Sequence, residues 1–292
     1  MTSSTPQWPR AERLDAEGIV EAIAAKTGRR LRVEGPCPGG QVSAAYVRWP
    51  DGHRAVLTWQ PDISLADLRA GPLTVIEALR TVGYPAPTTE LAVQIGRAVA
   101  LVQECASDQK IDYLTHRLLD QLLELNGLQV GVLSQRPDAR AVQLHLGHDG
   151  PGYCLHEPLW RHSRRTAALE RWIVAVADAY PDGLTGEDAV HGDFHPGNVL
   201  AADGQVTGVV DWDGAGRGDR CPDLVVLRVG VHPKTADPGV VERLDEIIDA
   251  LPDDVVRPAW AHLSLRMMDW AIRHFAADDV DSWVDLATSR LD

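Results

Sequence analysis

Residues 191–200 read HGDFHPGNVL, which places two histidines, an aspartate and an asparagine within eight consecutive positions. The chain continues VLAADGQVTGVVDW over 199–212, two short β-rich runs around an Asp-Gly, the pattern of a hairpin. A hairpin brings its ends together, so Asn198 and Asp211 become neighbours although they stand 13 positions apart. An amide oxygen and a carboxylate are hard ligands that suit Mg2+, whose remaining positions go to water and phosphate oxygens. Asp193 lies five positions before Asn198, on the loop entering the hairpin. A carboxylate there can orient an attacking hydroxyl and accept its proton. Asp, Asn and Gly are individually common in tight turns for backbone reasons. Taken together, base, amide and second carboxylate form a phosphoryl-transfer arrangement.

Outward from this stretch the chain divides in two. Residues 15–28 carry apolar positions at helical spacing and stop at Gly28. Strand-like runs follow at 31–35, 44–50 and 54–60, the last two joined by an Asp-Gly turn at Asp51. A helix is predicted over roughly 65–82 and two more strands within 91–104. Beyond 105 the spacing is helical, at Ile111–Leu125, Leu169–Tyr180, Val240–Leu251 and Trp260–Phe275. The expectation is an α+β protein with a small lobe at 1–104, mostly antiparallel sheet. A larger, mainly helical lobe at 105–292 would carry the hairpin.

Composition narrows the function classes. Of 292 residues 45% are hydrophobic and 24% charged, as in ordinary globular proteins. No apolar run approaches the roughly 18–20 residues of a bilayer span, and the first residues, MTSSTPQWPRAERLD, lack an apolar signal region. Cys37, Cys105, Cys154 and Cys221 form no C-x-x-C pair, which fits reduced thiols. These features predict a cytoplasmic protein with no membrane partner. The net charge of −14 is uneven: residues 1–177 hold 19 acidic and 19 basic side chains, and 178–292 hold 23 and 9. Such a field disfavours nucleic acid and gathers cations toward the C-terminal half.

HGDFHPGNVL together with VVDWDGAGRGDRCPDLVVL (209–227) resembles the aminoglycoside phosphotransferase family, whose pattern is H-G-D-x-x-x-x-N, a hairpin, then [IV]-D-[WF]. The order and spacing also match the catalytic loop and metal aspartate of protein kinases. The resemblance implies a bilobal protein-kinase-like fold with ATP between the lobes, GTP being a second possible donor, and a small-molecule hydroxyl as acceptor. It implies Asp193 as catalytic base and Asn198 and Asp211 as Mg2+ ligands. His195 would stabilise transferred charge, where protein kinases carry a lysine, and His191, Asp219 and Asp223 would be scaffold. Gly39, Gly40 and Ser43 stand where the family's glycine-rich loop covers the phosphates. Gln103 (through its carbonyl) and Cys105 (through its N–H) stand where the hinge contacts adenine.

One position departs from the family. The segment VLTWQ (56–60) has Thr58 where V-L-K-W is usual, and the next helix offers only Glu77 as a lysine's partner. Arg69 is a candidate substitute cation. For the acceptor, His262, Arg266, Asp269 and Arg273 share one face of the Trp260–Phe275 helix, and Asp278, Asp279 and Asp281 follow it. Asp213 and Asp269 are the residues expected at the acceptor. The reading is an ATP- and Mg-dependent kinase of a cationic antibiotic, an aminoglycoside or a capreomycin/viomycin-type peptide, conferring resistance. Two others stand beside it: a metabolic kinase of choline, homoserine or sugar type, and a non-catalytic nucleotide-binding homologue, which Thr58 motivates.

Overall fold

The structure, a computed structural model, describes residues 14–37, 44–106, 109–275 and 277–291. Helix α1 (Ala16–Thr27) begins where the Asp15 side chain accepts from the Gly18 N–H. It ends at Gly28, whose φ of 72° is the left-handed geometry glycine adopts without penalty. Five strands follow: β1 (Arg32–Pro36), β2 (Ala45–Arg48), β3 (Arg54–Gln60), β4 (Thr89–Ile95) and β5 (Ala98–Glu104). They form one antiparallel sheet in the order β1-β2-β3-β5-β4. Ile19, Val20 and Ile23 of α1 pack on one face against Val47, Ala55, Leu57 and Val102. By alternation, Val56, Thr58 and Gln60 of β3 point to the opposite face.

The single helix expected over 65–82 is two: α2 (Leu65–Ala70) and α3 (Pro72–Thr81). Pro72 lacks the N–H that would continue α2. At Gly71 a Cβ would lie 3.2 Å from the Ala215 carbonyl, so the break brings the helix junction close to the segment after Asp213. The buried face of α3, Val75, Ile76 and Leu79, joins Phe194, Val199, Val209 and Trp212 in one core, which seats the 191–212 segment against the sheet-bearing part.

Strand β6 (Gln109–Lys110) is followed by α4 (His116–Leu128), which starts later than its apolar spacing suggested because Thr115 caps it. Ile111 and Leu114 precede the helix but still enter its core. Then come α5 (Glu157–His162), α6 (Arg164–Ala177), β7 (Asp188–Val190), the hairpin strands β8 (Val199–Ala202) and β9 (Gln205–Val209), and β10 (Gly216–Gly218). Strand β8 lies between β6 and β9, and β10 pairs with β7. Helices α7 (Cys221–Val229), α8 (Val240–Asp249), α9 (Asp253–His274) and α10 (Ala277–Thr288) complete the chain. A second core, including Leu159, Leu169, Ile173, Leu265, Met268, Val280 and Val284, holds α5, α6, α9 and α10 together. Among the described residues no helix is long and apolar enough to cross a membrane.

Candidate active site

Strand β7 delivers His191 into the core, where it is fully buried. Its Nδ1 accepts from the Asp193 N–H at 3.2 Å, so Nε2 carries the proton and donates to the Val210 carbonyl at 3.1 Å. Burial pushes this imidazole down to about 4. Asp223, in the first turn of α7, accepts from the N–H groups of His191 (2.8 Å) and Gly192 (2.9 Å) and from Gln129 Nε2 (2.8 Å). Gly192 has φ of 79°, and a Cβ there would stand 3.0 Å from the Gly214 carbonyl, so only glycine lets the two segments touch. Asp219 caps the start of α7 by accepting from the Cys221 N–H.

Asp193 follows, its side chain partly exposed. Asn198 Nδ2 donates to its backbone oxygen (3.0 Å) and to Oδ2 (3.1 Å), which leaves the amide oxygen of Asn198 for another partner. His195 Nε2 lies 3.6 Å from Oδ2, and Arg266 Nη2 of α9 lies 3.5 Å from Oδ1. Desolvation pushes the Asp193 carboxyl up, but the neighbouring His195 imidazole and Arg266 guanidinium outweigh it and hold the group below the usual carboxylate range. The Val210 N–H donates to the Asn198 carbonyl at 2.9 Å, closing the hairpin's open end beside Asp211. Asp211 has φ of 67°, a left-handed geometry that Asp tolerates better than most side chains.

Asp211 and Asp213 are exposed to solvent on one side, yet protein packs around their carboxyls. Desolvation raises both carboxyls, with the neighbouring Asp193 raising Asp211 further and Asp211 raising Asp213. Arg266 and His195 already pair with Asp193, so the oxygen donors left that suit a hard divalent ion are the Asn198 amide oxygen and the Asp211 carboxylate. Among the described residues no three carboxylate, histidine or cysteine side chains are grouped to hold a metal by themselves. Asp213 accepts a hydrogen bond from Gln60 of β3, which ties the five-stranded sheet to the segment after the hairpin.

The remaining expected residues are spread wider. Gly39, Gly40 and Ser43 lie outside the described residues. Gln103 pairs with Val56 across β3 and β5, and Cys105 follows the end of β5. Cys37 and Cys105 lie near enough to interact, and desolvation pushes the Cys37 thiol up to about 11. Thr58 sits two positions before Gln60 on the same strand face. Glu77 is exposed on α3, away from the helix's buried face. Asp269 is fully buried rather than open to a ligand: Arg273 grips both its oxygens at 2.6 Å, and the Leu155 N–H donates to Oδ2 at 2.9 Å. The side chains of Asp278 and Asp279 lie outside the described ones, and Asp281 pairs with Arg165 at 3.6 Å.

Two groups beside the Asp211 and Asp213 carboxyls escaped the sequence reading. Gln60 is one; polar residues at strand ends carry no distinguishing signal. Lys110 is the other. Lys110 pairs with Leu200 across β6 and β8, and its ammonium acts on the Asp211 carboxyl. The signal available was rarity: the chain has three lysines, and Lys26 and Lys234 lie on α1 and in the turn after α7.

Comparison with known proteins bears on the fold and the family. No curated protein sequence matches the chain significantly. Among solved structures, a thermostable mutant of aminoglycoside phosphotransferase APH(4)-Ia superposes with a TM-score of 0.57 at 16% identity, covering 94% of this chain and 97% of that one. A protein from Thermobifida fusca YX-ER1 described as a fructosamine-3-kinase gives 0.53 at 19% identity, covering 93% and 98%. APH(3'')-Id from Streptomyces rimosus ATCC10970, solved with ADP and streptomycin, gives 0.51 at 19%, covering 86% and 98%. These similarities show a shared protein-kinase-like fold. The model of the phosphotransferase enzyme family (APH) matches residues 36–249, most of the chain, and the chain belongs to that family.

Proposed function

We propose that the chain transfers the γ-phosphoryl group of ATP to a hydroxyl of a small, cationic molecule such as an aminoglycoside or a capreomycin/viomycin-type peptide. The observation that carries the transfer is the convergence of Asp193, Asn198 and Asp211 at the two ends of one hairpin. Asp193 orients the acceptor hydroxyl, whose oxygen attacks the γ-phosphorus while the bond to the β,γ-bridging oxygen breaks and ADP leaves. The hydroxyl proton passes to Asp193 or through it to water. Asn198 and Asp211 would hold Mg2+, which when bound neutralises charge on the phosphates. His195, beside Asp193, stabilises charge on the transferred group. Gly39, Gly40 and Ser43 would cover the phosphates, and the Gln103 carbonyl and Cys105 N–H would receive adenine.

The cationic acceptor is supported by the acidic C-terminal half and by Asp213, which keeps one carboxylate oxygen beyond its bond to Gln60. A second reading, a metabolic small-molecule kinase, is favoured by the pairing of Asp269 with Arg273, which leaves that residue no carboxylate for an acceptor amine. The structural likeness to the Thermobifida fusca protein agrees with it. A coupled ADP-release assay over cationic antibiotics, amino alcohols and sugars, with ATP and GTP in parallel, tests both. Acceptor-dependent release with a polyamine is expected. Release only with neutral hydroxyls selects the second reading, and none with any acceptor removes both.

A further inference from the structure

Helix α9 turns one charged side chain toward the 191–198 loop. On the face bearing His262, Arg266, Asp269 and Arg273, the last two close on each other and on the backbone of Leu155. His262 lies against His145, their ring centroids 6.3 Å apart. Arg266 instead reaches the loop, donating through Nη1 to the Gly192 carbonyl at 2.7 Å while Nη2 approaches Asp193 Oδ1 at 3.5 Å.

Gly192 is therefore held from two sides. Its N–H donates to Asp223 of α7, and its carbonyl accepts from Arg266 of α9. The two helices pack directly, with Val225 of α7 against Ala259, Trp260 and Leu263 of α9. The Asp193 carboxylate is divided in the same way: Oδ2 faces Asn198 and His195, and Oδ1 faces Arg266. Each contact removes one rotation, about the peptide planes flanking Gly192 or about the carboxylate itself. A planar guanidinium fork holds a carbonyl and a carboxylate on consecutive residues at fixed angles, whereas a lysine's ammonium is a flexible point charge that orients them less.

We infer that Arg266 is a positioning residue for the transfer proposed above, fixing the Gly192–Asp193 backbone and the carboxylate of Asp193 from the opposite side to Asn198. The inference rests on the reading of Asp193 as the base. A misplacement of about 1 Å in such a group costs on the order of a hundredfold in rate. The hydrogen bonds of Arg266 go to Gly192 and Asp193, on the loop that carries the base, so its loss is expected to act on kcat more than on ATP binding.

The test compares wild type with Arg266→Lys, Arg266→Gln and Arg266→Ala, using the best acceptor found in the ADP-release panel. Arg266→Gln is expected to lower kcat about a hundredfold with KM for ATP within twofold, and Arg266→Lys to recover part of the loss. Guanidinium at tens of millimolar should raise the kcat of Arg266→Ala at least tenfold, whereas equal urea, of like shape without charge, should not. Amide hydrogen exchange gives a readout that needs no turnover: the amides of 192–198 should exchange at least tenfold faster in Arg266→Gln, with those of α7 and α9 unchanged. Unaltered exchange in the loop, or a kcat within threefold of wild type, overturns the inference. So does a loss without guanidinium rescue, accompanied by faster exchange throughout α9, because that marks a packing role only. If wild type phosphorylates no acceptor, the proposed function falls, and the exchange measurement still decides whether Arg266 holds the loop.

Discussion

The buried imidazole of His191 donates to the carbonyl of Val210 at 3.1 Å while accepting the N–H of Asp193. One neutral side chain thus spans the two segments that carry Asp193 and Asp211. It does so only while unprotonated at Nδ1, since a charged ring has two donors and no acceptor. Burial holds its pKa near 4, below the unfolded value of about 6.5. A histidine lowered in this way contributes stability that is fully present above the unfolded value and is lost as pH falls from about 6.5 through 4. The expected loss across that window is about 3 kcal/mol, at 1.36 kcal/mol per unit. Urea unfolding at pH 7, 6, 5 and 4 measures it. His191→Gln should be less stable at pH 7 and should flatten the pH dependence; an equally steep dependence in the variant would assign it to other groups, His262 first, whose imidazole burial lowers to about 3.

The metal ligands can be removed singly. Asp211→Asn tolerates the left-handed backbone at 211 and loses only charge, and Asn198→Ala loses the amide. Each should raise the Mg2+ concentration needed for half-maximal turnover by about tenfold or more, with ATP binding in the absence of metal unchanged. Mg2+ titrations of turnover check this, and full activity in the presence of chelator would remove Mg2+ from the account.

The departure at Thr58 makes a different prediction now that the helix beside it is known. A lysine there needs a carboxylate to orient it, and Glu77 is exposed away from the buried face of α3. Gln60, on the same strand face, already reaches Asp213. Thr58→Lys should therefore leave ATP affinity within about twofold, measured by titration at fixed Mg2+. A tenfold gain would mean that the site lacks only the charge.

Much of this architecture is legible in the sequence because it is local. The Asp-Gly of the hairpin, the five-residue interval from Asp193 to Asn198 and the alternation in β3 all act over a few residues. The contacts that escaped notice join residues far apart in the chain. Gln60 meets Asp213 from 153 residues away and Arg266 meets Asp193 from 73. The α9 face looks solvated in a helical projection, but part of it is covered: Leu155 donates to Asp269, and Tyr153 stacks with the Arg273 guanidinium at 5.2 Å. Neither Tyr153 nor Leu155 belongs to a periodic element, so no spacing foretells the contact. The break at Gly71 was readable from Pro72, whose missing N–H outweighs the helical apolar spacing around it.

The charge asymmetry bears on the acceptor. An excess of acid over base confined to 178–292 attracts a polycation, and salt screens that attraction with a Debye length of about 10 Å at 0.1 M. The KM of an acceptor with several amines should rise severalfold between 0.02 and 0.2 M salt (about 21 to 7 Å of screening length) at nearly constant kcat. A neutral sugar's KM should stay flat. Asp213→Asn should raise the KM of the polyamine and spare that of ATP. Insensitivity to both salt and the substitution would leave the acidic half as a solubility feature and favour the metabolic reading.

The central claim is that Asp193 presents an acceptor hydroxyl to the γ-phosphoryl group. Phosphorus NMR of wild type and Asp193→Asn, each with ATP, Mg2+ and the best acceptor, tests it most directly. Wild type should yield ADP and a new phosphomonoester resonance in equal amounts, and Asp193→Asn should form the ester at least a hundredfold more slowly while binding ATP as tightly. Ester formation by Asp193→Asn at a rate within a few fold of wild type would contradict the account.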